Sequence, residues 1–92
     1  MIAKVLVEIE GERPVNSGPE SDQISATIFA PERTDHGDYF CRVSIPGLLE
    51  NDKRIAGVDA EQAKELAVLF VRDIFDGFGI KITSEVNVGE IE

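Results

Sequence analysis

Residues 59–79 read DAEQAKELAVLFVRDIFDGFG, and this stretch decides the fold. Residues 60–76 contain neither glycine nor proline, and their apolar side chains recur every three to four positions, which predicts an amphipathic helix. Asp59 is a good N-cap, and Gln62 three residues later completes a capping-box pattern. The glycines that follow can end the helix. The stripe expected to face the core is Ala63, Leu66, Ala67, Phe70, Val71, Ile74 and Phe78.

Three stretches before the helix alternate apolar and polar residues with the two-residue period of a strand. A loop rich in proline and glycine at 11–21 and a polar turn at 32–38 separate them. The strands cover residues 2–10, 22–30 and 39–45, and residues 80–92 form either a fourth strand or a frayed acidic tail beyond Val88. The expected fold is α+β, a single domain of residues 1–92 in the order β-β-β-α(-β). One long helix packs on one face of a three-stranded, or four-stranded, antiparallel sheet.

The alternation divides the strand residues between a core face and an outer face. Val5, Val7 and Cys41 are expected to point towards the core. Large apolar groups on a solvent-exposed face usually mark a binding site for a partner. The expected protein-binding residues of the outer face are Ile2, Leu6, Glu8, Glu10, Phe29, Phe40 and Arg42. The alternative is that the C-terminal strand or the 11–21 loop covers them.

Composition and net charge restrict the classes of function that are expected of the chain. The chain has 92 residues, with 18 acidic and 9 basic side chains and a net charge of −9. Contacts with phosphates are made by Lys and Arg, so direct binding to duplex DNA or to a membrane surface is not expected. No secretory signal and no apolar run near the roughly 20 residues of a membrane span are present. A single cysteine, Cys41, excludes an intramolecular disulfide and fits a reducing, cytoplasmic location.

The residue types that carry catalysis or bind metals are sparse. His36 is the only histidine, and it lies in the predicted turn with Asp35 and Asp38. No second cysteine or histidine completes a zinc site. Cys41, on the inward face of its strand, is expected to be a small core hydrophobe. We therefore expect no catalytic residues, no metal and no cofactor, and a protein that is not an enzyme.

The third strand and the helix start resemble an uncharacterised family of small bacterial proteins. Members of that family have an aromatic-x-C strand, a short loop with glycine, and a helix that opens with G-V-D-x-x-Q-A. The resemblance covers roughly the C-terminal half of the chain and supports the fold, but it implies no activity. The matching residues are Tyr39, Cys41, Ile45, Gly47, Gly57, Val58, Asp59, Gln62 and Ala63.

Small size, acidic charge and the absence of a catalytic set favour a protein that acts by occupying the surface of a partner. A face rich in carboxylates competes for a site that holds nucleic acid, because it offers the same charge sign to Lys and Arg. The leading expectation is a phage-encoded, anti-CRISPR-like inhibitor of a nucleic-acid-handling complex. An immunity protein against a nuclease toxin is one alternative. A homo-oligomeric accessory protein, such as a homodimer that buries Phe29 and Phe40 against itself, is another.

Overall fold

A six-stranded antiparallel sheet and one helix make up the fold of the described residues. The computed structural model describes residues 4–14 and 21–89. The elements are β1 (Val5–Pro14), β2 (Ser21–Phe29), β3 (Glu32–Arg33), β4 (Tyr39–Ser44), β5 (Lys53–Gly57), α1 (Ala60–Gly77) and β6 (Lys81–Asn87). The α+β class is confirmed, but three or four strands was an underestimate.

The sheet is a meander that the last strand completes at the far edge. β1 pairs with β2, β2 with β4, and β4 with β5, while β6 returns to the free edge of β1. Phe40 of β4 pairs with Glu32 of β3 on one side and with Ala56 of β5 on the other. β3 therefore lies on the same side of β4 as β2 and continues it. The short break at 30–31 contains Pro31, which has no N–H to donate to a ladder.

Most predicted strand bounds hold, and the differences lie at turns. The fourth strand is confirmed as β6, and the acidic tail at residues 90–92 lies outside the described residues. The first hairpin is longer than expected, because β1 continues to Pro14. β3 and β5 were not predicted. β3 has two residues, and β5 has only one partly buried apolar side chain, Ile55, between exposed Arg54 and Ala56.

The helix begins with the predicted capping box. The Asp59 carboxylate accepts a hydrogen bond of 2.7 Å from the Gln62 backbone N–H. In return, Gln62 Oε1 accepts one of 2.8 Å from the backbone N–H of Val58, one residue before the cap. The first bond satisfies an N–H group of the first turn that has no intrahelical partner, and the second ties the preceding residue to the helix start. At the other end, Gly79 adopts a φ of +69°, which a residue with a side chain rarely adopts.

The helix faces the sheet through a ridge of Ala63, Ala67 and Val71 of the predicted stripe, together with Phe75, which the prediction omitted. Its fully buried residues repeat every four positions and are Ala63, Ala67, Val71 and Phe75. Leu66 is 39% exposed and Phe78 is 50% exposed, so their prediction as core residues was wrong. Small residues at the start of the ridge let α1 approach β4 and β5. Phe75 fills the opposite end, where its Cε2 lies 3.0 Å from the point a Cβ on Gly11 would occupy.

A β-bulge near the start of β1 reverses the alternation of side chains. Val5 pairs with Phe29 and Val7 pairs with Ile28, which leaves Leu6 as an extra residue. Leu6 is 1% exposed and belongs to the core beside Val7, so its placement on the outer face was wrong. Val5 instead shares the face of Phe29, because residues directly opposite each other point the same way.

Candidate functional site

The candidate site is the sheet face opposite α1, here called the outer sheet face. The pairing register brings side chains from five strands onto it. None of them is buried, and each is exposed or half-buried. They include Val5, Glu8, Glu10, Glu12, Gln23, Ser25, Thr27, Phe29, Phe40, Arg42, Ser44, Arg54, Ala56, Lys81, Ser84 and Val86.

A row of carboxylates follows the middle of this face along β1. Glu8, Glu10 and Glu12 occupy every second position, and successive members are about 6.8 Å apart along a strand. The cross-strand neighbours of Glu8 and Glu10 are neutral, namely Thr27 and Val86 for the former and two serines for the latter. Neither carboxylate forms an ion pair with a described residue. Glu8 and Glu10 therefore present unneutralised negative charge, whereas Glu12 accepts a hydrogen bond of 2.9 Å from Gln23 Nε2 and lies opposite Lys81.

Two aromatic rings on the same face lie beneath guanidinium groups. Arg42 Cζ is 4.6 Å from the centroid of the Phe29 ring, and Arg54 Cζ is 5.0 Å from that of Phe40. Both distances fall within the range of cation–π attraction. Arg42 also forms an ion pair with Asp52, with 3.1 Å between Nε and Oδ2, although this N–H is not directed well enough for a hydrogen bond. The rings are thus half-covered by the two guanidinium groups.

The structure brings together most of the predicted surface residues. Glu8, Glu10, Phe29, Phe40 and Arg42 share the outer sheet face. Ile2 lies outside the described residues, and Leu6 is buried in the core. β6 joins the edge of β1 and does not fold over the outer sheet face. The alternative prediction that the C-terminal strand covers these residues was therefore wrong.

Sequence reasoning missed Val5, Arg54 and Val86 on this face. Val5 is there because of the bulge, for which the sequence carries no signal. Arg54 belongs to β5, whose short alternation around Ile55 is the only signal that could have revealed it. Val86 was assigned to a strand but not to a face, because its pairing with Glu8 depends on the register of β6.

The chemically reactive side chains lie in separate places. Cys41 is fully buried against the helix side of the sheet, and burial raises the pKa of its thiol to about 11. His36 is exposed in the turn after β3, where its backbone N–H donates to Thr34 Oγ1 at 3.3 Å. Among the residues that the structure describes, no three His, Cys, Asp or Glu side chains are arranged to hold a metal ion.

Cys41 should react slowly with a water-soluble thiol reagent in the native protein. Burial blocks access, and the raised pKa lowers the fraction of reactive thiolate at neutral pH. The measurement is the rate of colour development with an aromatic disulfide reagent, with and without urea. Release of one thiol only upon unfolding is expected. Rapid labelling without urea would overturn the register of β4.

Neither the search for a membrane-spanning helix nor the comparison with known proteins restricts the function. No helix in residues 4–14 and 21–89 is long and apolar enough to cross a membrane. Comparison of the chain with protein-family models, with curated proteins and with solved structures gave no match. The functional argument therefore depends on the outer sheet face itself.

Proposed function

We propose that this protein is a small acidic protein-binding inhibitor, which acts in the cytoplasm by occupying the nucleic-acid-binding surface of a partner. The observation that supports the proposal is the row of Glu8, Glu10 and Glu12 in the middle of a sheet face opposite the helix. In its most concrete form, the protein is a phage-encoded anti-CRISPR-like inhibitor and the partner is a CRISPR effector complex.

The geometry of the carboxylate row suits a groove that holds nucleic acid. Such grooves are lined by Lys and Arg, which contact a chain of regularly spaced negative charges. Glu8 and Glu10 repeat about every 6.8 Å on a strand, a spacing similar to that of phosphates along a nucleic-acid strand. Because both neighbouring strands are hydrogen-bonded to β1, the backbone positions of Glu8 and Glu10 are fixed before binding, so association costs the rotamer freedom of the side chains but little backbone entropy. The net charge of −9 adds attraction at longer range.

Apolar side chains next to the row supply the desolvated contacts that an interface also needs. Val86 is 50% exposed and lies directly opposite Glu8. Val5, on β1 itself, and Phe29, opposite it on β2, are both half-buried. Interfaces combine an apolar centre with a polar rim, and charges at the rim steer the encounter. The outer sheet face offers both kinds of contact.

Two other functions compete with the CRISPR inhibitor. An immunity protein would use the same face, since the groove of a nuclease toxin also binds nucleic acid, and only the identity of the inhibited protein separates the two. A homo-oligomeric accessory protein is favoured by a different observation. β5 and β6 are the edges of the sheet, and an edge strand can pair with a second copy of the chain. A dimer in light scattering would favour that function.

The double charge reversal Glu8→Lys/Glu10→Lys should weaken inhibition by about tenfold or more, since exposed charge pairs contribute roughly 0.2–1 kcal/mol each and reversal turns attraction into repulsion. The assay is DNA cleavage by a panel of purified CRISPR effector complexes and nuclease toxins, with the wild-type protein and the variant added at increasing concentration. Urea melts of both proteins check that the fold is retained.

The matched control is Glu65→Lys/Asp73→Lys, which changes the net charge equally on the exposed side of α1. We expect it to inhibit as well as the wild type. Equal loss in both double variants would attribute inhibition to overall charge and not to the outer sheet face. Full activity of every panel member in the presence of the wild-type protein would contradict the inhibitor function.

A further inference from the structure

An open cavity of about 380 Å³ lies at the end of the outer sheet face where β3, β4 and β5 meet. Ligand cavities in proteins span roughly 300–1,000 Å³, so this one suits a small group. It is separate from the carboxylate row, which lies on β1. The lining residues are Arg33, Thr34, Asp35, Phe40, Arg54 and Ala56.

The cavity gathers the arginines that the rest of the fold leaves without ion pairs. The chain has five arginines and twice as many acidic as basic side chains. Three arginines pair with acidic residues, in Arg13–Asp22, Arg42–Asp52 and Arg72–Glu85. The other two, Arg33 and Arg54, both line the cavity and form no ion pair within the described part of the chain. With carboxylates so abundant, this arrangement favours an anion from outside.

Arg54 is held in position by an aromatic ring, and its guanidinium donates no hydrogen bond to another described residue. Its guanidinium carbon lies 5.0 Å from the centroid of the Phe40 ring, and the cation–π attraction restrains the group. A guanidinium carries five N–H donors in a planar fork that matches the oxygens of a phosphate. Thr34 adds a hydroxyl, which accepts from the His36 N–H and keeps its own proton to donate.

We propose that this cavity binds a phosphate monoester group, with Arg33 and Arg54 donating hydrogen bonds to its oxygens. Asp35 also lines the cavity, so its charged lining residues carry an excess of one positive charge. A phosphate dianion gains from both guanidinium groups through charge-assisted hydrogen bonds, whereas a single carboxylate is satisfied by one. The site does not depend on the inhibitor function, because it uses neither Glu8 nor Glu10.

Titration of the ¹⁵N-labelled protein with inorganic phosphate tests the site. The ionic strength is held constant with sodium chloride. We expect saturable shifts of the amide signals of Thr34, Phe40 and Arg54. Affinity should fall by about tenfold or more in Arg33→Ala and in Arg54→Ala, because each removes charge-assisted hydrogen bonds. Arg54→Lys keeps the charge without the fork and should bind phosphate with intermediate affinity.

The matched control is Arg13→Ala, which removes an exposed arginine from the far hairpin and should leave phosphate binding unchanged. Adenosine monophosphate is a second probe. If adenosine monophosphate binds more tightly than inorganic phosphate, the ligand is a phosphorylated small molecule. If the two bind equally, the ligand is free phosphate. Shifts that never saturate, an equal loss in Arg13→Ala, or wild-type affinity in either cavity variant would overturn the site.

Discussion

Phe75→Ala should be the most destabilising truncation in the helix, lowering the free energy of unfolding by about 3–5 kcal/mol. Phe75 is fully buried and has the largest volume of any fully buried residue in the described part of the chain. Its removal would lose the transfer free energy of the ring and leave a cavity over Gly11, where β1 has no side chain to fill it. Equilibrium unfolding in urea measures the difference, and the loss is a large share of a typical total of roughly 5–15 kcal/mol.

Phe78→Ala is the matched control for this experiment. Phe78 is 50% exposed just after the helix, so its truncation should cost less than about 1 kcal/mol. The predicted helical stripe contains Phe78 and omits Phe75, whereas the structure buries Phe75. A larger loss from Phe78→Ala than from Phe75→Ala would show that the helix packs through the predicted stripe and not through the ridge that ends at Phe75.

Gly57→Ala should destabilise the protein by about 3 kcal/mol, at the upper end for overpacking. An added Cβ would overlap the backbone nitrogen of Ala63 and lie 2.9 Å from the Ala63 Cα and the Gln62 carbonyl carbon. These are backbone atoms of the first helical turn, so the start of α1 would have to move away from β5. For a domain of this size, the melting temperature should fall by more than about 10 °C.

Gly77→Ala provides the comparison for a glycine with free space around it. No heavy atom lies within 4 Å of a Cβ added at Gly77, which is the last helical residue. Alanine favours the helix over glycine by about 1 kcal/mol in the interior and by less at an end, so the melting temperature should stay the same or rise slightly. If Gly57→Ala and Gly77→Ala melted at the same temperature, the close approach of β5 and α1 would be wrong.

The features that the sequence predicted correctly depend on neighbours along the chain. The capping box at Asp59 needs only the residue three positions later, and most of the alternation in β1, β2 and β4 is visible within single strands. The buried ridge of α1 was only partly predictable, because Leu66 and Phe78 are as apolar as Phe75, which the predicted stripe omits. The orientation of the helix is decided by the shape of the sheet, in particular the close approach at Gly57 and the space over Gly11.

Part of the outer sheet face was also predictable from neighbours along the chain. Glu8, Glu10, Phe29 and Phe40 follow from alternation alone. The bulge at Leu6 does not, because it arises from the register between β1 and β2 and turns Val5 to the outer sheet face. The contacts between arginines and aromatic rings were also beyond the sequence, since the partner of Phe40 comes from the unpredicted strand β5.

Competition with nucleic acid tests the proposed function most directly. The partner inhibited in the panel is first loaded with fluorescently labelled DNA, and the wild-type protein is then added while anisotropy is recorded. We predict that the DNA is displaced completely, that its apparent Kd rises in proportion to the inhibitor concentration, and that Glu8→Lys/Glu10→Lys displaces it poorly. A stable ternary complex, in which the partner holds DNA and this protein together, would contradict the proposal that the outer sheet face occupies a nucleic-acid groove.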